Sequence, residues 1–253
     1  DDKLGQWLDT LDKTGLADNT IVIVSADHGD MLGERGMWYK MSFYEWSASV
    51  PFIVRHPDVA GGRRVSRTMS LLDLFPTLVD FAGGGSPDPA CAPHLEGRSV
   101  APLLNGDDTG WPDTAYSEYL GEGAAGPCLM LRKGRYKYVH SDGEADAPAD
   151  PPQLFDLEAD PQELEDLAGR PELEQTQAEL AGLVAARWDP AALRRSVLES
   201  QKRRRFIFDA LSRGTPAPWD YAPHYDAANL YIRNTEGLAE REYRARLDEP
   251  GAR

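Results

Sequence analysis

The sequence predicts an α/β fold: part of a main sheet with its helices, then a small antiparallel sheet and a helical to extended tail. Three observations point there. Leu4, Trp7, Leu8 and Leu11 recur at helical spacing and lead through Gly15 and Asp18-Asn19 into the apolar run 20–26. Val50-Pro51-Phe52-Ile53-Val54-Arg55 repeats the strand signal, and Leu72, Phe75, Leu78 and Val79 follow at helical spacing. After a composition shift near residue 110 come short strand-like segments with turn residues between them.

Each element has a local reason. Gly15 suits the position just past a helix end. The run 20–26, rich in β-branched residues, reads as a buried strand of a parallel sheet. It ends in Asp27-His28-Gly29-Asp30, at the carboxyl edge where open α/β sheets carry their sites. Residues 29–46 read as a long loop over that edge. Leu71 to Phe81 is predicted helical, with Asp73 near its N-cap and Gly83 to Gly85 ending it. A Gly/Pro loop covers 84–94, and Ser99 to Leu104 forms a short helical turn. Residues 115–120, 127–133, 135–140 and 153–157 are four short strands, with Lys133-Gly134 as a turn. Asp160-Pro161-Gln162-Glu163 is expected to begin a helix, and 171–187 and 190–212 two more. The expected divisions are 1–110, 111–187 and a tail, 188–253.

Composition narrows the function. The 253 residues are 41% hydrophobic, enough for a sizeable core. A net charge of -15 argues against coating nucleic acid and disfavours an anionic membrane surface, yet leaves room for an anionic substrate at a local lysine. No apolar run reaches the roughly 20 residues of a membrane span. Cys91 and Cys128 make no disulfide framework, so a cytoplasmic setting is expected. The start, Asp1-Asp2-Lys3-Leu4, reads as the inside of a helix, and hence of a longer protein.

Asp27 and His28 are candidate metal ligands. A hard cation takes the carboxylate, and the imidazole moves preference from Ca²⁺ toward Mn²⁺. The same four residues equally describe a turn in which Asp27 caps backbone N–H groups. Lys40 is a candidate partner for an ester oxyanion, although a lysine taken singly is usually a solvated surface group. Glu118 and Glu122, with Trp111, Tyr119, Trp188, Trp219, Tyr221 and Tyr225, form a set of carboxylates and aromatics suited to a quaternary ammonium; each alone is also ordinary packing. The basic run Lys202-Arg203-Arg204-Arg205 reads as a charged helix face beside Phe206, Ile207 and Leu211.

Taken in order, several segments resemble the carboxyl-terminal part of a sulfatase, of the alkaline phosphatase-like superfamily. They are Ser25-Ala26-Asp27-His28-Gly29-Asp30, Trp38-Tyr39-Lys40-Met41, Leu72-Asp73-Leu74-Phe75-Pro76-Thr77, Leu95-Glu96-Gly97-Arg98-Ser99, Gln153-Leu154-Phe155-Asp156-Leu157 and Asp160-Pro161-Gln162-Glu163-Leu164. The tail, with Trp188-Asp189, Ser200 to Arg205, Trp219-Asp220 and Tyr231-Ile232-Arg233-Asn234, resembles the extra segment of choline-sulfatases. Thr235-Glu236-Gly237-Leu238 departs from the His-Met-Asp-Leu of that segment.

The resemblance implies hydrolysis of a small sulfate ester, choline sulfate, with a divalent metal ion (Ca or Mn) and a formylglycine nucleophile. It makes Asp27 and His28 metal ligands, Lys40 a sulfate contact, and Glu118 or Glu122 the substrate-side carboxylate. It implies a homo-oligomer formed through the tail. The formylglycine arises from Cys-x-Pro-x-Arg; Cys91-Ala92-Pro93-His94-Leu95 lacks the arginine and reads as coincidence. The nucleophile is therefore expected upstream of Asp1, and the chain alone is expected to be inactive. Rival readings are a phosphonate or phosphate ester hydrolase of the same superfamily and a non-catalytic oligomerisation module.

Overall fold

The computed structural model describes residues 1–85, 94–121, 124, 126–143 and 148–214. It divides into two compact units, Asp1–Ser200 and Gln201–Arg253. In the first, α1 (Asp2–Thr14) ends at Gly15, whose left-handed φ of 70° lets its N–H close on the Asp12 and Leu11 carbonyls. Next come β1 (Val22–Ser25), a hairpin of β2 (Met31–Leu32) and β3 (Trp38–Tyr39), α2 (Glu45–Ala48) and β4 (Phe52–Arg55). Then α3 (Leu74–Val79) and α4 (Ala101–Leu104) lead to the meander β5 (Thr114–Tyr119), β6 (Cys128–Lys133), β7 (Tyr136–Ser141) and β8 (Gln153–Asp156). Two helices follow, α5 (Glu174–Arg187) and α6 (Pro190–Leu211), and α6 runs on into the second unit.

The core lies between the meander and α5. Cross-strand pairing puts Leu129, Leu131 and Tyr138 on one sheet face, where Leu180 and Val184 of α5 meet them with Leu154. The period of two along each strand sends Met130, Arg132 and Lys137 to the opposite face. That second face forms a wall of the cleft described below. Among the described residues no helix is long and apolar enough to cross a membrane.

Two sequence expectations are corrected and one is refined. β1 is not a buried strand of a parallel sheet. It pairs antiparallel with β4, Val22 opposite Arg55 and Ser25 opposite Phe52, and all four of its residues are half-buried. A β-branched run reports that a strand is flanked, not which way its neighbour runs.

The segment 71–81 is helical as expected, with Asp73 beside the N-cap, Ser70. The Ser70 hydroxyl accepts from Leu72 N, and the Asp73 carboxylate accepts from Ser70 N. Its apolar stripe faces outward: Leu72, Phe75 and Leu78 are 51%, 59% and 47% exposed, while Pro76 and Thr77 are buried. Thr77 turns inward because its hydroxyl donates to Asp73 O and accepts from Val100 N.

No helix begins at Asp160. The stretch turns instead, with Glu163 at φ 56° and 1% exposed. Two buried contacts hold that carboxylate and override the local helix-start signal.

In the second unit Lys202–Arg205 are exposed on α6, as are Phe206 and Leu211. Arg205 lies 3.8 Å from Asp209, one turn on. Cys91, Trp219, Tyr221, Tyr225 and 231–238 lie outside the described residues.

One prediction follows from the end of β8. Arg135 Nε donates to Asp156 Oδ1 at 2.8 Å and Nη2 donates to Oδ2. This contact, with backbone N–H groups of Ala159 and Glu158, holds the carboxylate below its ordinary value of 3.8. Folded protein therefore binds fewer protons here than unfolded chain, so the stabilisation is present at neutral pH and is lost as pH falls below about 4. Denaturant melts between pH 6 and 3 should show a smaller loss of stability in Asp156→Asn than in wild type, because the variant lacks this proton uptake.

Candidate active site

A cleft of about 570 Å³ is lined on one side by Asp27, His28, Lys40 and Ser47, and on the other by Ala115, Ser117, Met130 and Arg132 of the meander. Where β1 ends, the chain bends, and Asp27 and His28 do not point to opposite faces as consecutive strand residues do. Asp27 Oδ2 lies 3.3 Å from His28 Nε2. The bend is held locally: Asp27 Oδ1 accepts from His28 N at 3.0 Å. The turn and the converging pair are thus one geometry, not alternatives.

The histidine tautomer follows from its contacts. Nδ1 lies 2.7 Å from Gly29 O, a group that only accepts, so Nδ1 carries the proton. Nε2 then presents a lone pair. The Lys40 ammonium donates to it at 2.7 Å. A carboxylate oxygen and an ammonium thus both approach the imidazole Nε2 on the cleft wall. Lys40 is delivered there from the end of β3 by Tyr39, which has a left-handed φ of 73°. An aromatic residue rarely adopts that conformation and here does so beside the site.

Two residues that sequence reasoning did not single out join these pieces. Gly29 packs so closely on α2 that a Cβ would stand 2.1 Å from Trp46 O, and its N–H donates to Ser47 O at 2.8 Å. Ser47, 3% exposed, donates its hydroxyl to Lys40 O at 2.5 Å. Its carbonyl thus holds the Asp27-His28-Gly29 turn while its hydroxyl holds Lys40.

Behind α2 sits a buried ion cluster. Lys137 Nζ, with a side chain 0% exposed, donates to Phe43 O at 2.7 Å and meets Glu163 Oε1 at 2.7 Å and Glu45 Oε1 at 2.6 Å. Glu163 Oε2 accepts from Glu45 N at 2.7 Å, and Arg132 Nη1 donates to Glu45 Oε2 at 3.1 Å. Two cations face two carboxylates, which is what makes burial of these charges tolerable. A signal existed: Lys137 stands between Tyr136 and Tyr138, at a strand position whose neighbours across the sheet face inward.

The carboxylate candidates fare differently. Glu118 lines the same cleft, but strand pairing sets it opposite Leu129, and its Oε2 accepts from Trp188 Nε1 at 2.9 Å. Glu122 lies outside the described residues. Arg187 stacks 4.4 Å above the Tyr116 ring and 5.3 Å from that of Trp188. Trp111 donates Nε1 to Thr68 O at 2.8 Å and is a packing residue.

The Asp27 and His28 donors suit a divalent cation: a carboxylate oxygen and a correctly protonated imidazole converge and open to the cleft. They offer two donors. Among the described residues no group of three or more His, Cys, Asp and Glu side chains stands together to hold an ion.

Comparison with known proteins follows the same lines. The family described as N-sulphoglucosamine sulphohydrolase, C-terminal, matches residues 33–187, and that described as choline sulfatase enzyme C terminal matches 195–247. The chain is 41% identical over 241 residues to a choline-sulfatase of Rhizobium meliloti (strain 1021), covering 94% of this chain and 45% of that protein. It is 36% identical over 179 residues to arylsulfatase K of Xenopus laevis, covering 67% of this chain and 32% of that one. It is similar to the solved phosphonate monoester hydrolase of Agrobacterium radiobacter, with a TM-score of 0.60 and 31% identity over 72% of this chain and 38% of that structure. The chain thus spans less than half the length of these relatives.

The Gly29 contact yields a second prediction. Gly29→Ala should lower stability by about 1–3 kcal/mol, as overpacking against fixed backbone does. Gly182→Ala, in open space on α5, should not. Urea midpoints of the two variants check this.

Proposed function

Because this chain belongs to the sulfatase family, we propose that it is the carboxyl-terminal part of a sulfuric ester hydrolase acting on choline sulfate. The observation that carries the reading is the approach of both Asp27 Oδ2 and Lys40 Nζ to His28 Nε2 on the cleft wall. Identity to a choline-sulfatase and the match of residues 195–247 favour choline as the alcohol.

In this reading Asp27 and His28 hold a divalent ion, Ca²⁺ or Mn²⁺, with ligands supplied from outside the described residues. When bound, such an ion withdraws negative charge from sulfate oxygens. Gly29 O keeps a proton on His28 Nδ1, which leaves Nε2 as the nitrogen that would hold the ion. The Lys40 ammonium, which now donates to Nε2, turns to a sulfuryl oxygen and offsets the charge that grows there as the ester bond breaks. The choline ammonium is assigned to a carboxylate, either Glu118, which lines the cleft, or Glu122. The formylglycine nucleophile is assigned to the part of the relatives that this chain does not span.

Three outcomes are expected. In the full-length protein, Lys40→Met should lower kcat for choline sulfate by about 10²–10³-fold, the cost of losing one such charge-stabilising donor. Asp27→Asn should lower both the bound divalent metal, measured by mass spectrometry, and turnover; unchanged metal and turnover would remove the ligand assignment and favour an assembly role. Purified 1–253 should hydrolyse no choline sulfate in a sulfate-release assay. The solved phosphonate monoester hydrolase supports a second reading, a phosphonate ester hydrolase. A competition assay with sulfate and phosphonate esters on the full-length protein decides between them by the larger kcat/KM.

A further inference from the structure

The Lys137 cluster lies behind the cleft wall, yet its contacts with Phe43 and Glu45 lead toward the Asp27–His28–Lys40 site. Its ammonium reaches the Phe43 carbonyl, three residues from Lys40, and the Glu45 carboxylate at the first turn of α2. Glu163 accepts the otherwise unpaired N–H of Glu45. So held, α2 presents Ser47 to both halves of the site: its carbonyl to Gly29 N at 2.8 Å, its hydroxyl to Lys40 O at 2.5 Å. The cluster is costly if only packing were needed. An apolar residue at 137 would fill the same inner face without burying an ammonium. Glu163 also holds a left-handed φ of 56° to take part.

We propose that Lys137, with Glu45 and Glu163, is a positioning residue: acting through Phe43, α2 and Ser47, it sets the spacing between His28 and Lys40. The inference rests on the sulfatase reading for its kinetic consequence, but not for its structural one. Helix α2 is four residues long and cannot stand alone, so its place is whatever its ends are tied to. One end is tied to the meander by three ions, and the other carries the two bonds to the site. Without the ammonium, Glu45 and Glu163 repel each other and that first tie is left to Arg132 alone among the cations.

The test uses the full-length protein as wild type, Lys137→Met, Glu45→Gln and Ser47→Ala. Glu45→Gln is the gentler variant, since it leaves Lys137 paired with Glu163. Lys133→Met is the control, breaking only an exposed pair with Glu179. Amide hydrogen exchange is followed by mass spectrometry well below the unfolding temperature. In Lys137→Met and Glu45→Gln, exchange at Gly29 and at 47–49 should speed by about tenfold or more, with β5–β7 still protected. In all three cluster and relay variants kcat for choline sulfate should fall, by up to about 10²-fold per folded molecule. Lys133→Met should change neither.

Unchanged exchange at Gly29 and 47–49 overturns the proposal. So does exchange that rises equally across β5–β7, which marks general destabilisation. If wild type turns over no sulfate ester, the functional reading fails, and exchange alone decides the positioning role.

Discussion

The Lys137 ammonium, wholly buried and shared among two carboxylates and a carbonyl, joins the meander to the segment 40–48 that carries half of the site. The Arg132–Glu45 pair and the tilted Tyr44–Phe155 ring contact cross the same junction. The hydrophobic core binds the meander to α5, on the opposite sheet face. A buried ion cluster is a poor source of net stability but a demanding one: every partner must be in place for the burial of charge to be tolerated. That intolerance gives α2, and through it Ser47, a defined position.

The site inherits its geometry from this arrangement. Asp27 and His28 leave β1 through a bend secured by Gly29 against the α2 backbone, and Ser47 fixes Lys40 from the same helix. Strain at Tyr39, beside Lys40, and at Glu163, inside the cluster, lies where the surroundings over-determine the backbone. The exposed stripe of Leu72, Phe75 and Leu78 and the half-buried β1 stand in contrast, as surfaces this chain leaves uncovered.

Much of this was legible in the sequence. The strands of the meander, the helices 171–187 and 190–212 and the Gly15 helix stop follow from local pattern, and the structure has them within a residue or two, except that Pro171–Leu173 form a 3-10 turn before α5. The Asp-His pair and Lys40 were legible because their residue types are informative in sequence order. Strand direction was not: the alternation and β-branching of 20–26 are the same whichever way a neighbour runs. The turn at Asp160 was misread as a helix start because Pro161 and Glu163 are good first-turn residues, and only a partner 26 residues away in the chain, Lys137, assigns Glu163 to the interior. Gly29 escaped notice because close approach of Trp46 O is a tertiary fact. Glu118 was singled out by residue type and by resemblance; its place on the cleft and its bond to Trp188 depend on packing that no local pattern encodes.

The central claim is that Asp27 and His28 share one divalent cation while Lys40 stands beside it. Crystals of the full-length protein grown with Mn²⁺ and measured for anomalous scattering test it directly. A single manganese peak within coordination distance of both Asp27 Oδ2 and His28 Nε2, with Lys40 Nζ displaced from the imidazole, is the expected result. A peak bound elsewhere, with Lys40 still hydrogen-bonded to Nε2, would contradict it.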